Sequence, residues 1–272
     1  MSIYEMINLT HSSKIFPNKY PVSPYRNTPV PTFQPHLSLY LNPDSQTTIV
    51  FNFGKSKRLL AYTYLNNSTP DTRWTDLDHW LKEQASTGLT VTVILANPLC
   101  RLWLLPAGDN YLPESARTSL AWLLFRQQFT HDNPQDYHLW LGPYHHRQPQ
   151  LAIATPQDTL QRLNTLCHNH QARLLSVQPL FTAIWDTQHK NPAPWHLLTD
   201  SQRCLLIQHK DGHIRQLHLR PDSQRNALIQ QHQAEGIHEW PLTPPDATLG
   251  RLLDPIPLED RAAYQPCLWG IR

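Results

Sequence analysis

The sequence predicts an α/β protein in which one order of elements, β-β-β-α-β, occurs twice. The apolar run Thr90–Leu95 is almost entirely β-branched or aliphatic, as is typical of a strand covered on both faces. Three short strand-like runs and a helical pattern precede it, and the same order returns after Asn191-Pro-Ala-Pro194. With 272 residues, the chain is long enough to bury a substantial core.

The first unit begins with a predicted antiparallel meander. Its strands are Leu37–Leu41, Thr47–Phe53 and Arg58–Leu65, with turns at Asn42-Pro-Asp44 and Gly54-Lys-Ser-Lys57. A helix carrying Trp74, Leu77 and Leu81 follows, and then the strand Thr90–Leu95. Asn97-Pro98 separates this strand from a second apolar run, Leu99–Leu105, and together the two runs indicate a central buried sheet.

Between the two units the pattern predicts an inserted subdomain. Its elements are a helix from Glu114 to about Gln128 and a hairpin of Tyr137–Leu141 with Gln150–Ala154 across Gly142-Pro143. Thr155-Pro-Gln-Asp158 then predicts a helix start in which the Thr155 hydroxyl is the cap. A strand at Leu174–Val177 and a helix at Pro179–Thr187 complete this part.

The second unit repeats the order of the first. Its predicted strands are Trp195–Leu198, Arg203–His209 and Ile214–Arg220, with a hairpin turn at Asp211-Gly212, a helix from Asp222 to about Gly236 and a last strand Ile237–Leu242. We therefore predict a proline-rich N-terminal arm over 1–36, a first lobe with an inserted subdomain over 37–190, and a smaller second lobe with a tail over 191–272.

Composition excludes several classes of partner. The net charge of +2 comes from 23 basic and 21 acidic residues spread along the chain, so no basic block predicts a nucleic-acid or lipid surface. No apolar run approaches the ~20 residues of a membrane span, and the first residues do not resemble a signal peptide. The four cysteines, Cys100, Cys167, Cys204 and Cys267, are far apart and indicate reduced thiols. We expect a cytoplasmic protein without direct membrane insertion.

Several segments resemble a known family. Val93-Ile-Leu-Ala-Asn97, Leu102-Trp-Leu-Leu-Pro106 and Ala172-Arg-Leu-Leu-Ser-Val-Gln-Pro179 resemble a divergent proteobacterial branch of the actin-like pilus and secretion assembly proteins. This is the family of the type IV pilus protein PilM and the cytoplasmic domain of the type II secretion protein GspL. The resemblance implies a two-lobed actin-like, or ribonuclease-H-like, fold at the cytoplasmic face of the inner membrane. It also implies binding of a short cytoplasmic tail of an inner-membrane assembly protein.

The resemblance further implies a nucleotide cleft between the lobes, because active members carry an Asp-x-Gly loop after the first strand of each lobe. The matching positions are Asn42-Pro43-Asp44 and Thr199-Asp200-Ser201, and neither loop contains glycine. Without glycine, backbone amides cannot readily approach a phosphate, and a proline lacks the amide altogether. We expect a non-catalytic scaffold, a pseudo-ATPase without a cofactor, whose degenerate cleft is formed by Asn42, Asp44, Thr199 and Asp200.

The alternative is an enzyme on the same fold: an active ATPase that uses ATP and magnesium, or a metal-dependent ribonuclease-H-like enzyme. In that case Asp44 and Asp200 could hold the metal ion, although acids after strands are more often turn formers. His138, His145-His146, His168 and His170 satisfy no defined metal-ligand spacing, so we predict no metal site from them.

Four aromatic residues are candidates for binding a partner. Tyr20 and Tyr25 lie in the proline-rich arm, and Trp240 and Trp269 lie in proline-rich surroundings, where an exposed ring could anchor another chain. The arm could lie over its own domain or dock on a partner, and a neighbouring copy of the chain is one such partner. The sequence therefore also allows a homo-oligomer.

Overall fold

The computed structural model describes residues 35–42, 46–53, 58–66, 70–84, 88–188, 193–200, 203–240, 258 and 264–265. The chain divides into two compact units: unit 1 comprises residues 1–96, 161–184 and 242–272, and unit 2 comprises residues 97–160 and 185–241. The predicted consecutive lobes, 37–190 and 191–272, stay a prediction.

The strands in chain order are β1 (Pro35–Leu41), β2 (Gln46–Phe53), β3 (Arg58–Asn66), β4 (Thr90–Leu95), β5 (Arg101–Leu105), β6 (Tyr137–Leu141), β7 (Gln150–Pro156), β8 (Arg173–Pro179), β9 (Trp195–Asp200), β10 (Arg203–Lys210), β11 (His213–Pro221) and β12 (Ile237–Glu239). The helices are α1 (Pro70–Gln84), α2 (Glu114–Gln128), α3 (Gln157–Asn169), α4 (Leu180–Gln188) and α5 (Arg225–His232). Short 3₁₀ turns occupy Asn97–Leu99, Pro134–Asp136 and Asp222–Gln224.

Unit 1 contains a five-stranded sheet in the order β3-β2-β1-β4-β8. The predicted meander is confirmed, since β1 pairs antiparallel with β2 and β2 with β3. β4 runs parallel to β1 and to β8, and all six of its residues are buried. On α1, Leu77 and Leu81 are fully buried, as the helical pattern predicts.

Unit 2 contains a four-stranded sheet in the order β11-β10-β9-β12. This order matches β3-β2-β1-β4 strand for strand: two antiparallel pairs are followed by one parallel pair, between β9 and β12. A helix precedes the last strand in each case, α1 before β4 and α5 before β12. The predicted duplication of β-β-β-α-β is therefore confirmed.

A second, three-stranded sheet of unit 2 has the order β5-β7-β6. Its buried residues Trp103, Leu105, Ala152 and Ala154 form one cluster with Ala121 and Phe125 of α2. The rings of Trp103 and Phe125 meet edge to face with centroids 5.5 Å apart. The residues that the sequence assigns to an inserted subdomain thus share an apolar core, and we keep that name for them.

Two local predictions are wrong. The apolar run Leu99–Leu105 does not join the sheet of β4, because β5 pairs antiparallel with β7 in the separate three-stranded sheet. Thr155 does not cap a helix, because it lies in β7 opposite His138 of β6, and α3 begins at Gln157. In the described part of the chain, no helix is long and apolar enough to cross a membrane.

Candidate functional site

The loop after β1 is tied to its own unit by an arginine. Asn42 is buried, and its backbone carbonyl accepts a hydrogen bond of 2.7 Å from Nη2 of Arg73. Arg73 lies in the first turn of α1 and is 6% exposed, and burial lowers the pKa of its guanidinium below the ordinary value. A cation therefore fixes the carboxyl end of β1. Asp44, the other predicted residue of this loop, lies outside the described residues.

At the end of β9 the charge is reversed, because the strand's last residue, Asp200, is an anion that accepts a hydrogen bond. Asp200 is 4% exposed, and its Oδ2 accepts a hydrogen bond of 2.7 Å from the backbone N–H of Asn97, which is 1% exposed. Asn97 begins the 3₁₀ turn that leads into β5. The carboxylate therefore satisfies a buried backbone donor at the start of the inserted subdomain.

Thr199 precedes Asp200 in β9 and is half-buried, paired across the sheet with Cys204 of β10. Its hydroxyl oxygen is buried without a hydrogen-bond partner among the residues that the structure describes. The structure places Thr199 and Asp200 in the last two positions of β9, whereas the sequence predicts a loop after a strand that ends at Leu198. The nucleotide cleft to which the sequence assigns them stays a prediction.

Trp240 is not an exposed anchor, and this prediction is wrong. Its side chain is 4% exposed, and its ring centroid lies 5.9 Å from that of Trp185 and 5.1 Å from that of His196. Its backbone N–H donates to the carbonyl of Leu197 at 2.8 Å, which extends the pairing of β12 with β9. The strand carries the indole into the core of unit 2. Tyr20, Tyr25 and Trp269 lie outside the described residues.

A stack of histidines lies beside Trp240. The rings of His196 and His209, on the neighbouring strands β9 and β10, are 4.5 Å apart and inclined by 17°, and His238 meets His196 edge-on at 5.9 Å. Burial, followed by the charges of His209 and His238, lowers the pKa of His196 to about 3. His196 is therefore neutral at physiological pH and acts as part of an aromatic core.

The other histidines of the sequence analysis are dispersed. Nε2 of His170 lies 2.8 Å from Oδ1 of Asp78 in unit 1. In unit 2, the rings of His145 and His213 lie edge to face at 4.6 Å, and burial lowers the pKa of His138. Throughout the described segments, no group of three or more His, Cys, Asp or Glu side chains could hold a metal ion.

The described cysteines, Cys100, Cys167 and Cys204, are buried and free. Burial raises the pKa of the Cys100 thiol to about 12, and its Sγ lies 3.9 Å from the Thr155 hydroxyl. A thiol with such a pKa is protonated and therefore a poor nucleophile.

Sequence reasoning missed an ion pair that closes the inserted subdomain. Arg101 of β5 donates from Nε and Nη2 to the two carboxylate oxygens of Asp132, at 2.6 and 3.2 Å, and the Tyr137 hydroxyl donates to the same carboxylate at 2.9 Å. The hydrogen bond from Arg101 holds the pKa of Asp132 below its usual value. Since 31 residues separate the two partners, no local pattern could reveal the pair.

Sequence reasoning also missed an exposed aromatic surface on the inserted subdomain. We call Tyr111, Leu112, Arg117 and Tyr144 the tyrosine shelf. The two tyrosine rings are 5.6 Å apart and inclined by 83°, and the Arg117 guanidinium lies 4.6 Å from the centroid of Tyr144. Tyr111 is 68% exposed, although its ring contacts that of Tyr144.

The two sheets with matching strand order define a mixed α/β protein of the actin-like fold, as predicted. Solved structures similar to this chain include the cytoplasmic domain of EpsL (GspL), an inner-membrane component of the type II secretion system of Vibrio cholerae, with a TM-score of 0.52 and 14% identity over 78% of this chain and 83% of that one. A Bacteroides thetaiotaomicron protein with an actin-like ATPase fold and unknown function aligns with a TM-score of 0.53 and 13% identity, covering 87% of this chain and 97% of that one.

A PilM–PilN type IV pilus biogenesis complex is similar at a TM-score of 0.46 and 13% identity, over 86% of this chain and 73% of the matched one. No protein-family model and no curated protein matches the sequence. The predicted resemblance to the cytoplasmic domain of GspL is confirmed as a likeness of structure by the EpsL alignment.

Proposed function

We propose that this chain is a non-catalytic cytoplasmic adaptor of an inner-membrane assembly platform of the type II secretion or type IV pilus kind. In this role it binds a short cytoplasmic tail of a membrane partner. The fold likeness to a domain described as the cytoplasmic part of an inner-membrane secretion component supports the proposal. The observation that carries the non-catalytic part of the proposal is the buried hydrogen bond from the backbone N–H of Asn97 to the carboxylate of Asp200.

A magnesium–nucleotide site needs carboxylate oxygens that can face the metal or its bound waters. Asp200 is buried, and its Oδ2 already accepts the Asn97 N–H. In unit 1, the Asn42 carbonyl accepts from Arg73, and the following residue, Pro43, has no N–H to offer a phosphate. These engaged groups, in loops without glycine, support a scaffold role over the ATPase and ribonuclease-H-like alternatives.

Titration calorimetry of the full chain with ATP and magnesium tests the non-catalytic part. We expect no saturable binding at millimolar ATP. The variant Asp200→Asn keeps an oxygen acceptor for Asn97 and removes the charge, and Asp109→Asn is the matched control, since the Asp109 side chain is 92% exposed. Saturable ATP binding that Asp200→Asn abolishes and Asp109→Asn retains would contradict the loss of the nucleotide site, and release of phosphate with the same dependence would establish the ATPase alternative. Magnesium-dependent cleavage of an RNA–DNA hybrid with the same dependence would establish the nuclease alternative.

Cross-linking in intact cells tests the adaptor part. We expect the full chain to cross-link to a single-span inner-membrane protein with a short cytoplasmic tail, and a synthetic peptide of that tail to bind the purified chain. The control is the same membrane protein without its tail, which should give no cross-link. Unchanged cross-linking to the tail-less protein would contradict the proposed mode of binding.

A further inference from the structure

The tyrosine shelf is built as a rigid surface. Arg117 donates from Nε to the Leu112 carbonyl and from Nη1 to Oε1 of Gln150, each at 3.1 Å. Gln150 is 3% exposed and donates from Nε2 to the Gly142 carbonyl at 2.6 Å. The Arg117 guanidinium is therefore held by Leu112, Gln150 and Tyr144, and little of its side-chain entropy remains to be lost when the shelf binds a ligand.

The shelf is also exposed. Tyr111 and Leu112 are 68% and 38% exposed, and Pro113 beside them is exposed too. Perpendicular aromatic rings with a polar edge are the chemistry that recognises polyproline II segments, whose pyrrolidine rings pack between aromatic side chains and whose backbone carbonyls accept hydrogen bonds. The shelf therefore fits an extended, proline-rich peptide better than a helix, which would need a longer apolar groove.

The chain itself carries such a peptide. The 34 residues before β1 include Pro17, Pro21, Pro24, Pro29 and Pro31, with Phe16, Tyr20, Tyr25 and Phe33 between or beside them. In a polyproline II conformation, residues 17–34 would span about 56 Å at about 3.1 Å per residue.

We propose that residues 17–34 of one copy dock on the tyrosine shelf of a second copy, and that reciprocal exchange makes a homodimer. Each chain supplies one arm and one shelf, so a twofold axis fills both shelves at once and closes the assembly. Two equivalent contacts also double the stabilisation that a single arm provides. This inference goes beyond the adaptor function and does not depend on it.

Sedimentation equilibrium of the full chain over a wide concentration range tests the proposal. We expect a monomer–dimer equilibrium. Tyr111→Ala should weaken each of the two contacts about tenfold, and so raise the dimer Kd about a hundredfold. Leu123→Ala is the matched control, because Leu123 is 51% exposed on α2 of the same subdomain but is not part of the shelf. A synthetic peptide of residues 17–34, added in excess, should convert dimers into peptide-bound monomers.

A second variant tests the arm. The double variant Pro21→Ala, Pro24→Ala frees the φ angle that each proline ring fixes. The arm then loses more conformational entropy on docking, so the dimer Kd should rise without a change in the fold. A chain that is monomeric at every concentration would overturn the proposal. It would equally be overturned by a dimer that Tyr111→Ala leaves intact, or by one that Leu123→Ala weakens as much. Peptide binding to a chain that never dimerises would place the arm on its own chain and reject the second copy as its acceptor.

Discussion

Replacement of Asp200 by alanine should destabilise unit 2 by about 2 kcal/mol. The change removes the acceptor for the Asn97 N–H, which is 1% exposed and donates at 2.7 Å. A buried donor left without its partner costs about 1–3 kcal/mol. The substitution also removes the unfavourable burial of the Asp200 charge, which offsets part of this cost, so we take the middle of the range. Asp200→Asn keeps an oxygen acceptor near the same place and exchanges a charged hydrogen bond of about 1.5–3 kcal/mol for a neutral one of about 0.5–1.5 kcal/mol, so it should cost about 1 kcal/mol.

Urea unfolding of the full chain, followed by tryptophan fluorescence, measures this difference. Unit 2 contains Trp185, Trp195 and Trp240, so its unfolding contributes to the signal. The exposed control Asp109→Ala should change the unfolding free energy by less than about 0.5 kcal/mol. If Asp200→Ala is as stable as Asp109→Ala, the carboxylate does not hold Asn97, and it would then be available to a ligand.

Three further predictions concern the stability of unit 2 and use the same unfolding measurement. Phe125→Ala should cost about 3–5 kcal/mol because Phe125 is fully buried in the inserted subdomain, whereas the exposed Leu123→Ala should be near neutral; equal effects would contradict the described core. Gly212→Ala should cost roughly 1–2 kcal/mol because the glycine has a φ of +75° and no neighbour within 4 Å, so the cost is backbone strain alone, which Gly108→Ala should not show. His196 has a pKa of about 3 in the folded chain, below the ordinary 6.5, so protons bind the unfolded chain first and stability falls between pH 6.5 and 3. The slope from this one proton is at most about 1.4 kcal/mol per pH unit, and His196→Leu should remove it from the pH profile.

The sequence was most informative where local chemistry decides the structure. The bounds of β4, Thr90–Leu95, and of α2, Glu114–Gln128, agree with the prediction. β4 is a β-branched run that ends before Asn97-Pro98, and α2 begins after Pro113, so the residues that end or start each element are sequence neighbours. The Asp211-Gly212 turn followed for the same reason, since both residues adopt the positive φ that this pair favours.

The predictions failed where a distant partner decides. Trp240 lies in a proline-rich neighbourhood, but its ring packs on Trp185 and His196, which are far away in sequence. The partner of Asp200 is 103 residues away. The run Leu99–Leu105 has the composition of a buried strand in either sheet, and only its pairing with β7 shows which sheet it joins. Local composition thus predicts that a segment forms a strand or a helix. Which sheet the strand joins, and which distant residue a side chain contacts, depends on the tertiary fold.

In the two duplicated units, side chains of opposite charge make the hydrogen bonds at the end of the corresponding strand, β1 or β9. At the end of β1 a backbone acceptor, the Asn42 carbonyl, is satisfied by the Arg73 cation, and at the end of β9 the Asp200 anion satisfies a backbone donor. Each of these charged hydrogen bonds contributes about 1.5–3 kcal/mol. A ligand that recruits Arg73 or Asp200 must first break the bond that this residue makes within its own unit, which lowers its affinity roughly tenfold to a hundredfold. Because glycine is absent from both loops, backbone amides are poorly placed to recover that loss. These two charged hydrogen bonds, one in each unit, are the physical basis of the proposed non-catalytic role.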